Sequence, residues 1–297
     1  RSELVEHIRA NGCTFAHGST GIRLAKEFGF CYGVERAIDL AYAARRHFPR
    51  EQPVYILGEI IHNPHVNDQI RDMGVTFLSG SHQAADIDDL DEGDPVVIPA
   101  FGTEVKVNEM LKARGCTVID ATCGDVMSVW KRVRQNAREQ VTSIIHGKAW
   151  HEETKATSSQ TKAFENGHYL VVFDLDETDY VCRYITRGGD RGAFLKKFEG
   201  AMSDGFNPDK HLRAIGLANQ TTMLRGETEE VQRRLKSAMA KKHGEDAIAK
   251  HFRYFDTICG ATQDRQDALR DLLNRSMDLL LVVGGYNSSN TSHLAEM

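Results

Sequence analysis

Residues 117–133, TVIDATCGDVMSVWKRV, join a short apolar segment to an amphipathic one through a single cysteine. The first four residues are mostly β-branched, which favours a strand buried on both faces. After Cys123 the apolar side chains recur at helical spacing, at positions 126, 129, 130 and 133. A buried strand that leads into a helix is the repeating unit of parallel sheets covered by helices. This stretch therefore predicts an α/β fold.

Three further apolar runs extend the pattern along the chain. They are VVIP (96–99), YLVVF (169–173) and LLLVV (279–283), each bounded by Gly, Asp or Pro. Such short runs predict buried parallel strands. Between the last two, the stretch 183–211 is rich in Gly, Lys and Asp and predicts an excursion on the surface. The final residues NTSHLAEM (290–297) predict a helix that begins just after a strand, so we expect a fragment of a longer polypeptide.

The composition limits the class of protein. The chain has 297 residues, of which 41% are hydrophobic and 27% charged, enough for two or three domains with apolar cores. A net charge of −5 argues against nucleic acid or an anionic membrane as a partner. No apolar run approaches the roughly 18–20 residues of a membrane helix, and RSELVEHIRANG (1–12) has no secretory signal pattern. The six cysteines form no CxxC pair, which favours a reducing compartment, and we expect the cytoplasm.

One local pattern occurs three times. EFGFCYG (27–33), IDATCGD (119–125) and FDTICGA (255–261) each place a cysteine after an extended segment and before an amphipathic helix. A thiol near a helix N-terminus meets unpaired N–H groups and the positive end of the helix dipole, which favours the thiolate form. Thiolates bind iron, and three of them on a four-iron cluster leave one iron open for substrate.

The alternative for each cysteine is a core position, because a free cysteine is among the most buried residue types. The shared pattern alone leaves both alternatives open for Cys31, Cys123 and Cys259. Three other cysteines lack this setting, and we interpret them as packing residues: Cys13, Cys116 and Cys182.

Seven short motifs occur in order along the chain. They are GFCYGVERA (29–37), HNPHV (62–66), DATC (120–123), HEET (151–154), NQTTM (219–223), DTICGATQDRQ (256–266) and GGYNSSNTSHL (284–294). Together they resemble the signature of the 4-hydroxy-3-methylbut-2-enyl diphosphate reductase family, from about Ile22 to the end of the chain. PAFG (99–102), HGKAWHEET (146–154) and the insertion near 183–211 are similar to the plant and cyanobacterial branch.

The resemblance implies a fold and a cofactor. The family fold is three pseudo-equivalent α/β domains in a clover-like arrangement around a central iron–sulfur site. Here it implies an extension with a first strand (1–27), a first domain (28–122), a second domain with the insertion (123–257) and a truncated third domain (258–297). By the family pattern Cys31, Cys123 and Cys259 ligate one 4Fe–4S cluster whose fourth iron takes the substrate hydroxyl.

The family substrate is an allylic alcohol that carries a diphosphate, and two parts of the chain could bind it. Ser288, Ser289 and Asn290 follow Gly-Gly and open a predicted helix, where N–H groups, hydroxyls and amides can bind an anion. An ordinary helix cap is the alternative. The resemblance makes these three residues diphosphate ligands, together with His62 and His151. A partly protonated imidazole would supply positive charge. A structural histidine is the alternative for both.

Glu153 is the candidate proton source, because reductive removal of a hydroxyl consumes protons. A carboxylic acid serves this purpose if desolvation raises its pKa toward neutrality. Glu152 is equally acidic, and a solvated Glu is the alternative; the family pattern of His, one residue, then Glu selects Glu153. Thr221, the first Thr of NQTT, is expected to complete the relay and to contact the substrate.

The sequence departs from the family in two places. Many bacterial relatives have a phosphate-binding His where this chain has Phe101, and His146 or Lys148 is a candidate substitute. The family also has a further C-terminal segment with another phosphate-binding Ser, which this sequence does not contain.

The resemblance therefore implies conversion of 4-hydroxy-3-methylbut-2-enyl diphosphate to isopentenyl and dimethylallyl diphosphates in the non-mevalonate isoprenoid pathway. Ferredoxin or flavodoxin would deliver the electrons, in the cytoplasm or in the plastid stroma of a plant. Two other classes remain: a phosphatase or transferase with a Cys nucleophile near a His, and a zinc- or nucleotide-binding module. Cysteines spaced by 92 and 136 residues fit a structural zinc site poorly, because such sites favour close pairs.

Overall fold

The computed structural model describes residues 2–297. The chain opens with a helix and an antiparallel hairpin, which belong to neither of the two larger sheets. These elements are α1 (Glu3–Ala10), β1 (Thr14–His17) and β2 (Thr20–Arg23). Within residues 2–297, no helix combines the length and the apolar character needed to cross a bilayer.

The first large sheet has four parallel strands in the order β4-β3-β5-β6. Residues 95–98 of the central strand are all buried, as the VVIP run predicts, and TVID pairs with them as the edge strand. Ile56 and Ile98 are at most 1% exposed. The elements of this unit are α2 (Tyr32–His47), β3 (Val54–Ile56), α3 (Pro64–Asp72), β4 (Val75–Phe77), β5 (Pro95–Ile98), α4 (Val105–Ala113) and β6 (Thr117–Asp120).

The second large sheet also has four parallel strands, in the order β10-β9-β7-β8. The YLVVF run forms its edge strand over residues 169–172, so that prediction is confirmed. The elements of this unit are α5 (Gly124–Arg138), β7 (Thr142–His146), α6 (Glu152–Ser159), β8 (Tyr169–Val172), α7 (Leu175–Arg187), α8 (Arg191–Lys197), α9 (Pro208–His211), β9 (Ile215–Asn219), α10 (Arg225–His243), α11 (Ile248–His251) and β10 (Phe252–Tyr254).

Helix α5 packs closely on this second sheet. A methyl group at Gly216 in β9 would lie 2.4 Å from the amide nitrogen of Asn136 in α5, so only glycine fits there. The Asn136 amide in turn donates to the hydroxyl of Ser143 in β7 at 3.2 Å. The helix that follows Cys123 is thereby held against two strands of the sheet.

The stretch 183–211 is not a surface excursion, and that prediction was wrong. It continues α7 and forms α8 and α9, and its aromatic side chains join the core of the second sheet. Phe194 and Phe198 are at most 1% exposed and Phe206 is 5% exposed. Burial of each such ring contributes about 1.5–3 kcal/mol to stability. The Gly- and Lys-rich composition suggested exposure, but the aromatic residues of this stretch pack in the core.

The last part of the chain contains helices but no sheet. Residues 258–297, all of which the structure describes, form α12 (Gly260–Leu273) and α13 (Ser289–Glu296) without a strand. The LLLVV run therefore does not form the predicted buried strand. Leu279 and Leu281 are each 73% exposed and Val283 is 92% exposed. The helix predicted after this run is confirmed as α13, and the α/β class is confirmed by the two parallel sheets.

Candidate active site

A single large cavity of about 1750 Å³ lies where the hairpin, the N-termini of three helices and the segment 276–291 meet. Its lining includes every residue that the sequence predicted for the site. These are Cys31, His62, Cys123, His151, Glu153, Thr221, Cys259, Ser288, Ser289 and Asn290.

The three predicted cysteines occupy equivalent positions at helix starts. Cys31, Cys123 and Cys259 are the N-cap residues of α2, α5 and α12. A methyl group placed on Gly33 would lie 2.5 Å from the Cys123 sulfur and 3.9 Å from the Cys31 sulfur. Two thiols from distant parts of the chain therefore lie against the same glycine.

Contacts with the neighbouring units hold Cys259 in the wall of the same cavity. Arg265, in the second turn of α12, donates to the carbonyl of Gly29 at 2.8 Å, two residues before Cys31. The Cys259 N–H donates to the Thr221 carbonyl at 3.4 Å. The charge of Cys31 contributes to raising the pKa of both other thiols, so all three share one electrostatic environment.

The pKa values of the Cys123 and Cys259 thiols are raised, whereas the sequence predicted lowered values. Burial raises the pKa of Cys123 and of Cys259, and Asp125 adds to both shifts. Hydrogen bonds from backbone N–H groups lower the pKa but do not offset the burial. Helix position was expected to favour the thiolate, but here desolvation is the larger effect. This opposes a role for either sulfur as a free nucleophile, whereas metal coordination deprotonates a thiol outright.

Three convergent thiols are a ligand set for soft metals and for iron–sulfur clusters. A second group of possible ligands lies beside this cavity, and two of its members, His62 and His151, line it. The ligand atoms of His62, His151 and Glu152 lie within 4.8 Å of one another. Imidazole and carboxylate suit a different class of metal from thiolate, so the two groups are chemically distinct sites.

Glu153 lies in the first turn of α6 and is 4% exposed. Its two carboxylate oxygens accept from Thr221, one from the N–H at 2.6 Å and one from the hydroxyl at 3.0 Å. Burial raises the pKa of Glu153 to about 7, the hydrogen bonds from Thr221 oppose this, and Asp125 adds to it. A carboxyl group with a pKa near neutrality can both donate and take up a proton at physiological pH.

His151 caps the helix that carries Glu153. Its Nδ1 accepts from the Glu153 N–H at 3.1 Å, which leaves the ring proton on Nε2. Burial lowers the pKa of His151 to about 3, and His62, Lys148 and Lys155 add to the shift. The expectation of a partly protonated imidazole was therefore wrong for His151, which contributes a neutral N–H donor.

Ser288, Ser289 and Asn290 open α13 as predicted. The Ser288 hydroxyl accepts from the Thr291 N–H at 3.3 Å and caps the helix. The Ser289 hydroxyl accepts from the side-chain amide of Gln220 at 3.2 Å. The Asn290 Oδ1 atom is buried without a hydrogen-bond partner among residues 2–297. These polar side chains lie at the N-terminus of α13, the positive end of the helix dipole, where an anion is favoured.

The loop before α13 lies against the first sheet unit. A methyl group on Gly285 would lie 2.1 Å from the carbonyl oxygen of His62 and 3.5 Å from Pro64. This close approach holds residues 285–290 beside the HNP motif, and it brings the serines and His62 to the same cavity.

Phe101 stacks on His62, with ring centroids 4.8 Å apart and planes 13° apart. Neither proposed substitute for its missing donor lines the cavity in the described structure. His146 is fully buried, and its Nδ1 lies 2.8 Å from the hydroxyl of Thr228. Lys148 lies outside the lining residues as well.

Comparison with known proteins identifies the family of this chain. The sequence model of the family described as "LytB protein" matches residues 22–297. The chain belongs to the LytB protein family.

Among the LytB relatives, the 4-hydroxy-3-methylbut-2-enyl diphosphate reductase of Thermosynechococcus vestitus is 50% identical over all 297 residues. The enzyme of the same name from Prochlorococcus marinus strain MIT 9211 is also 50% identical. Each alignment covers 100% of this chain and 72% of the relative.

Two solved structures share the LytB fold seen here. The E-1-hydroxy-2-methyl-but-2-enyl-4-diphosphate reductase of Plasmodium falciparum has a TM-score of 0.68 at 24% identity, over 90% of this chain and 70% of that one. A second has a TM-score of 0.61 at 28% identity, over 91% and 79%. It is described as (E)-4-hydroxy-3-methyl-but-2-enyl diphosphate reductase, the terminal enzyme of the non-mevalonate pathway.

Sequence reasoning missed two residues that organise this LytB site. Gln220 is 1% exposed; its carbonyl oxygen accepts from the Lys148 N–H, and its amide donates to Ser289. Glu59 bonds to His62 at 2.9 Å. Gln220 lies within the quoted motif NQTTM, which was the available signal for it. Cys116 and Cys182 contact the cores of the first and second sheets, as predicted for packing residues. Cys13 lies half-buried in the turn before β1.

Proposed function

We propose that this chain is a 4-hydroxy-3-methylbut-2-enyl diphosphate reductase. It would replace the hydroxyl of the substrate by hydrogen, with two electrons and two protons consumed and water released, to give isopentenyl and dimethylallyl diphosphates. The observation that carries this proposal is the meeting of three helix-capping thiols, a buried acid and an anion cradle in one cavity. The reductase names of relatives that align with the whole chain support it.

The proposed cofactor is one 4Fe–4S cluster held by Cys31, Cys123 and Cys259. When bound, the cluster would supply the electrons singly and leave one iron for the substrate oxygen. Ferredoxin or flavodoxin is the proposed donor. In the same proposal the units 28–122, 123–257 and 258–297 each give one cysteine, in a clover-like arrangement after the N-terminal segment 1–27. The cytoplasm, or the plastid stroma in a plant, is the proposed compartment.

Glu153 and Thr221 are proposed to move the proton. The carboxyl group is buried and bonded to Thr221, and its pKa of about 7 allows both protonation states to be populated. The Thr221 hydroxyl also lines the cavity, so it can orient Glu153 toward the substrate and contact the substrate itself.

The diphosphate is proposed to lie between two groups of donors. Ser288, Ser289 and Asn290 offer hydroxyls, an amide and the N-terminus of α13. His62, whose backbone touches Gly285, and His151 line the same cavity, and His151 offers its Nε2–H. A neutral donor binds phosphate without the desolvation penalty of a buried charge.

Two measurements test the proposal. Cys31→Ser, Cys123→Ser and Cys259→Ser should each abolish iron-based visible absorption in protein purified without oxygen, whereas Cys116→Ser should retain it. Wild-type protein without iron and sulfide would contradict the proposal and favour a Cys nucleophile or a zinc module. Glu153→Gln should keep the cluster and substrate binding but lose turnover by about 100-fold or more. Retained turnover would remove Glu153 as proton donor.

A further inference from the structure

Three aromatic rings form a cluster on the cavity wall: His62, Phe101 and His151. His62 stacks on Phe101 at 4.8 Å, and His151 crosses His62 nearly at right angles with centroids 5.1 Å apart. Phe101 can neither donate nor accept a conventional hydrogen bond. Its contact with His62 therefore acts on the plane of the imidazole, because a stacked pair resists rotation of either ring.

Glu59 determines which nitrogen of His62 carries a proton. The Oε2 atom of Glu59 lies 2.9 Å from His62 Nδ1, and the two side chains are 18% and 14% exposed. A carboxylate oxygen accepts, so this contact assigns the donor role to Nδ1. The second oxygen of Glu59 accepts from the Ser81 hydroxyl at 3.4 Å, which helps to fix the carboxylate.

The other nitrogen of His62 is left without a partner. Nε2 is buried and has no hydrogen bond to any of residues 2–297. Its nearest anionic atom is the Oε2 of Glu152 at 3.6 Å, which is too long for a hydrogen bond. Glu152 is also 56% exposed, whereas Glu59 is 18% exposed. Glu59 therefore hydrogen-bonds to the ring, whereas Glu152 lies only within ion-pair distance of it.

From this geometry we infer that Glu59 and Phe101 are positioning residues for the diphosphate, acting through His62. Glu59 fixes the proton on Nδ1, Phe101 fixes the ring plane, and Nε2 is thereby presented to a phosphate oxygen. A hydrogen bond from Nε2 to a phosphate oxygen requires a proton on both ring nitrogens, so the ring would then bridge Glu59 and the diphosphate. This inference rests on the proposed diphosphate site.

The first test measures the ring of His62 directly. Holoenzyme with 15N-labelled histidine is compared by nuclear magnetic resonance with His62→Gln, which assigns the His62 signals. We expect the wild-type ring to carry its proton on Nδ1, with or without a second proton, and we expect Glu59→Gln to lower the population of the Nδ1–H form. A wild-type ring protonated on Nε2 alone would overturn the inference, whatever the behaviour of the variants.

The second test measures the dissociation constant for inorganic pyrophosphate by calorimetry. Glu59→Gln should weaken binding about tenfold, because a charge-assisted hydrogen bond is lost. Phe101→Leu should weaken it about threefold to tenfold, whereas Phe101→Tyr, which keeps the stack, should remain within about twofold of wild type. Glu152→Gln is the matched control and should not weaken binding or alter the ring.

Other results separate the possibilities. Equal affinity of wild type, Glu59→Gln and Phe101→Leu would overturn the inference. Binding that requires a divalent cation and is abolished by EDTA would also overturn it, because His62 would then act as a metal ligand with His151 and Glu152. Absence of pyrophosphate binding in wild type would contradict the proposed diphosphate site, while the ring measurement would still decide whether Glu59 sets the His62 proton.

Discussion

The run YLVV (169–172) in the second sheet and the run LLLVV (279–283) near the end of the chain have nearly the same composition but different structures. The first is strand β8, with Leu170 and Val172 fully buried beneath α7 and α10. In the second, Val283 is 92% exposed and the backbone forms no ladder. Composition is therefore not what separates them.

The difference lies in what surrounds each run. Strand β8 pairs with β7 along four residues, and helices cover its faces. The run 279–283 has no neighbouring strand within residues 2–297, and its residues line the cavity. A parallel strand gains its stability from pairing and from cover on both faces, so an apolar run without these stays irregular. The following predictions test this contrast.

The largest effect is expected inside the second sheet unit. Phe194→Ala should lower the free energy of unfolding by about 3–5 kcal/mol, because it removes a fully buried ring that contacts Phe198, Phe206 and Tyr184. Urea unfolding followed by circular dichroism measures the change. A loss below about 1 kcal/mol would contradict the packed structure of the stretch 183–211.

A smaller effect should depend on pH. The folded protein holds Glu153 with a pKa of about 7, above its ordinary 4.5, so folding favours the protonated form. Stability should therefore fall as the pH rises from about 4.5 through 7, and the cost above pH 7 should approach about 3 kcal/mol. In Glu153→Gln this pH-dependent loss should disappear. The measurement is the free energy of unfolding at pH 5 and at pH 8.

The control for the Glu153→Gln experiment is an exposed carboxylate in the last part of the chain. Asp278 is exposed beside the run 279–283. Asp278→Asn should leave the difference between pH 5 and pH 8 as in wild type. The assignment of the pH dependence to Glu153 would be withdrawn if both variants changed the profile equally.

The smallest effect is expected in the exposed run. Leu281→Ser should change the free energy of unfolding by less than about 0.5 kcal/mol, because the side chain is 73% exposed. The same urea titration measures it. A loss above about 1 kcal/mol that does not depend on protein concentration would show that the run is packed within the chain.

Much of the fold could be predicted from local pattern. The runs at 96–99, 117–120 and 169–173 became strands, since each pairs with at least one parallel neighbour; the first is an inner strand and the other two are edge strands. The cysteine before each helix also followed from sequence, because an N-cap is a local feature. The exposed run and the buried 183–211 segment could not be predicted, because both depend on which distant side chains are present to cover them.

The candidate site also has features that the sequence predicted and features that it did not. Residue types and motif order predicted a relay between Glu153 and Thr221, and their hydroxyl–carboxylate hydrogen bond agrees with it, but they did not predict the second hydrogen bond, from the Thr221 N–H. The dominance of burial over helix position at Cys123, and the neutral state of His151, follow from desolvation. Desolvation depends on the whole surrounding structure and is not visible in a short motif. Glu59 was missed for a related reason, since nothing in the sequence shows that its oxygen reaches His62.

The contact at Gly285 has a consequence for the distance between the two halves of the anion site. Because no side chain fits between this residue and the His62 carbonyl, the serine-bearing loop lies directly against the backbone of the first sheet unit. The distance between the two sets of donors is then set at one backbone contact. Any larger residue at 285 would widen the gap that a phosphate has to span, even if every donor remained in place.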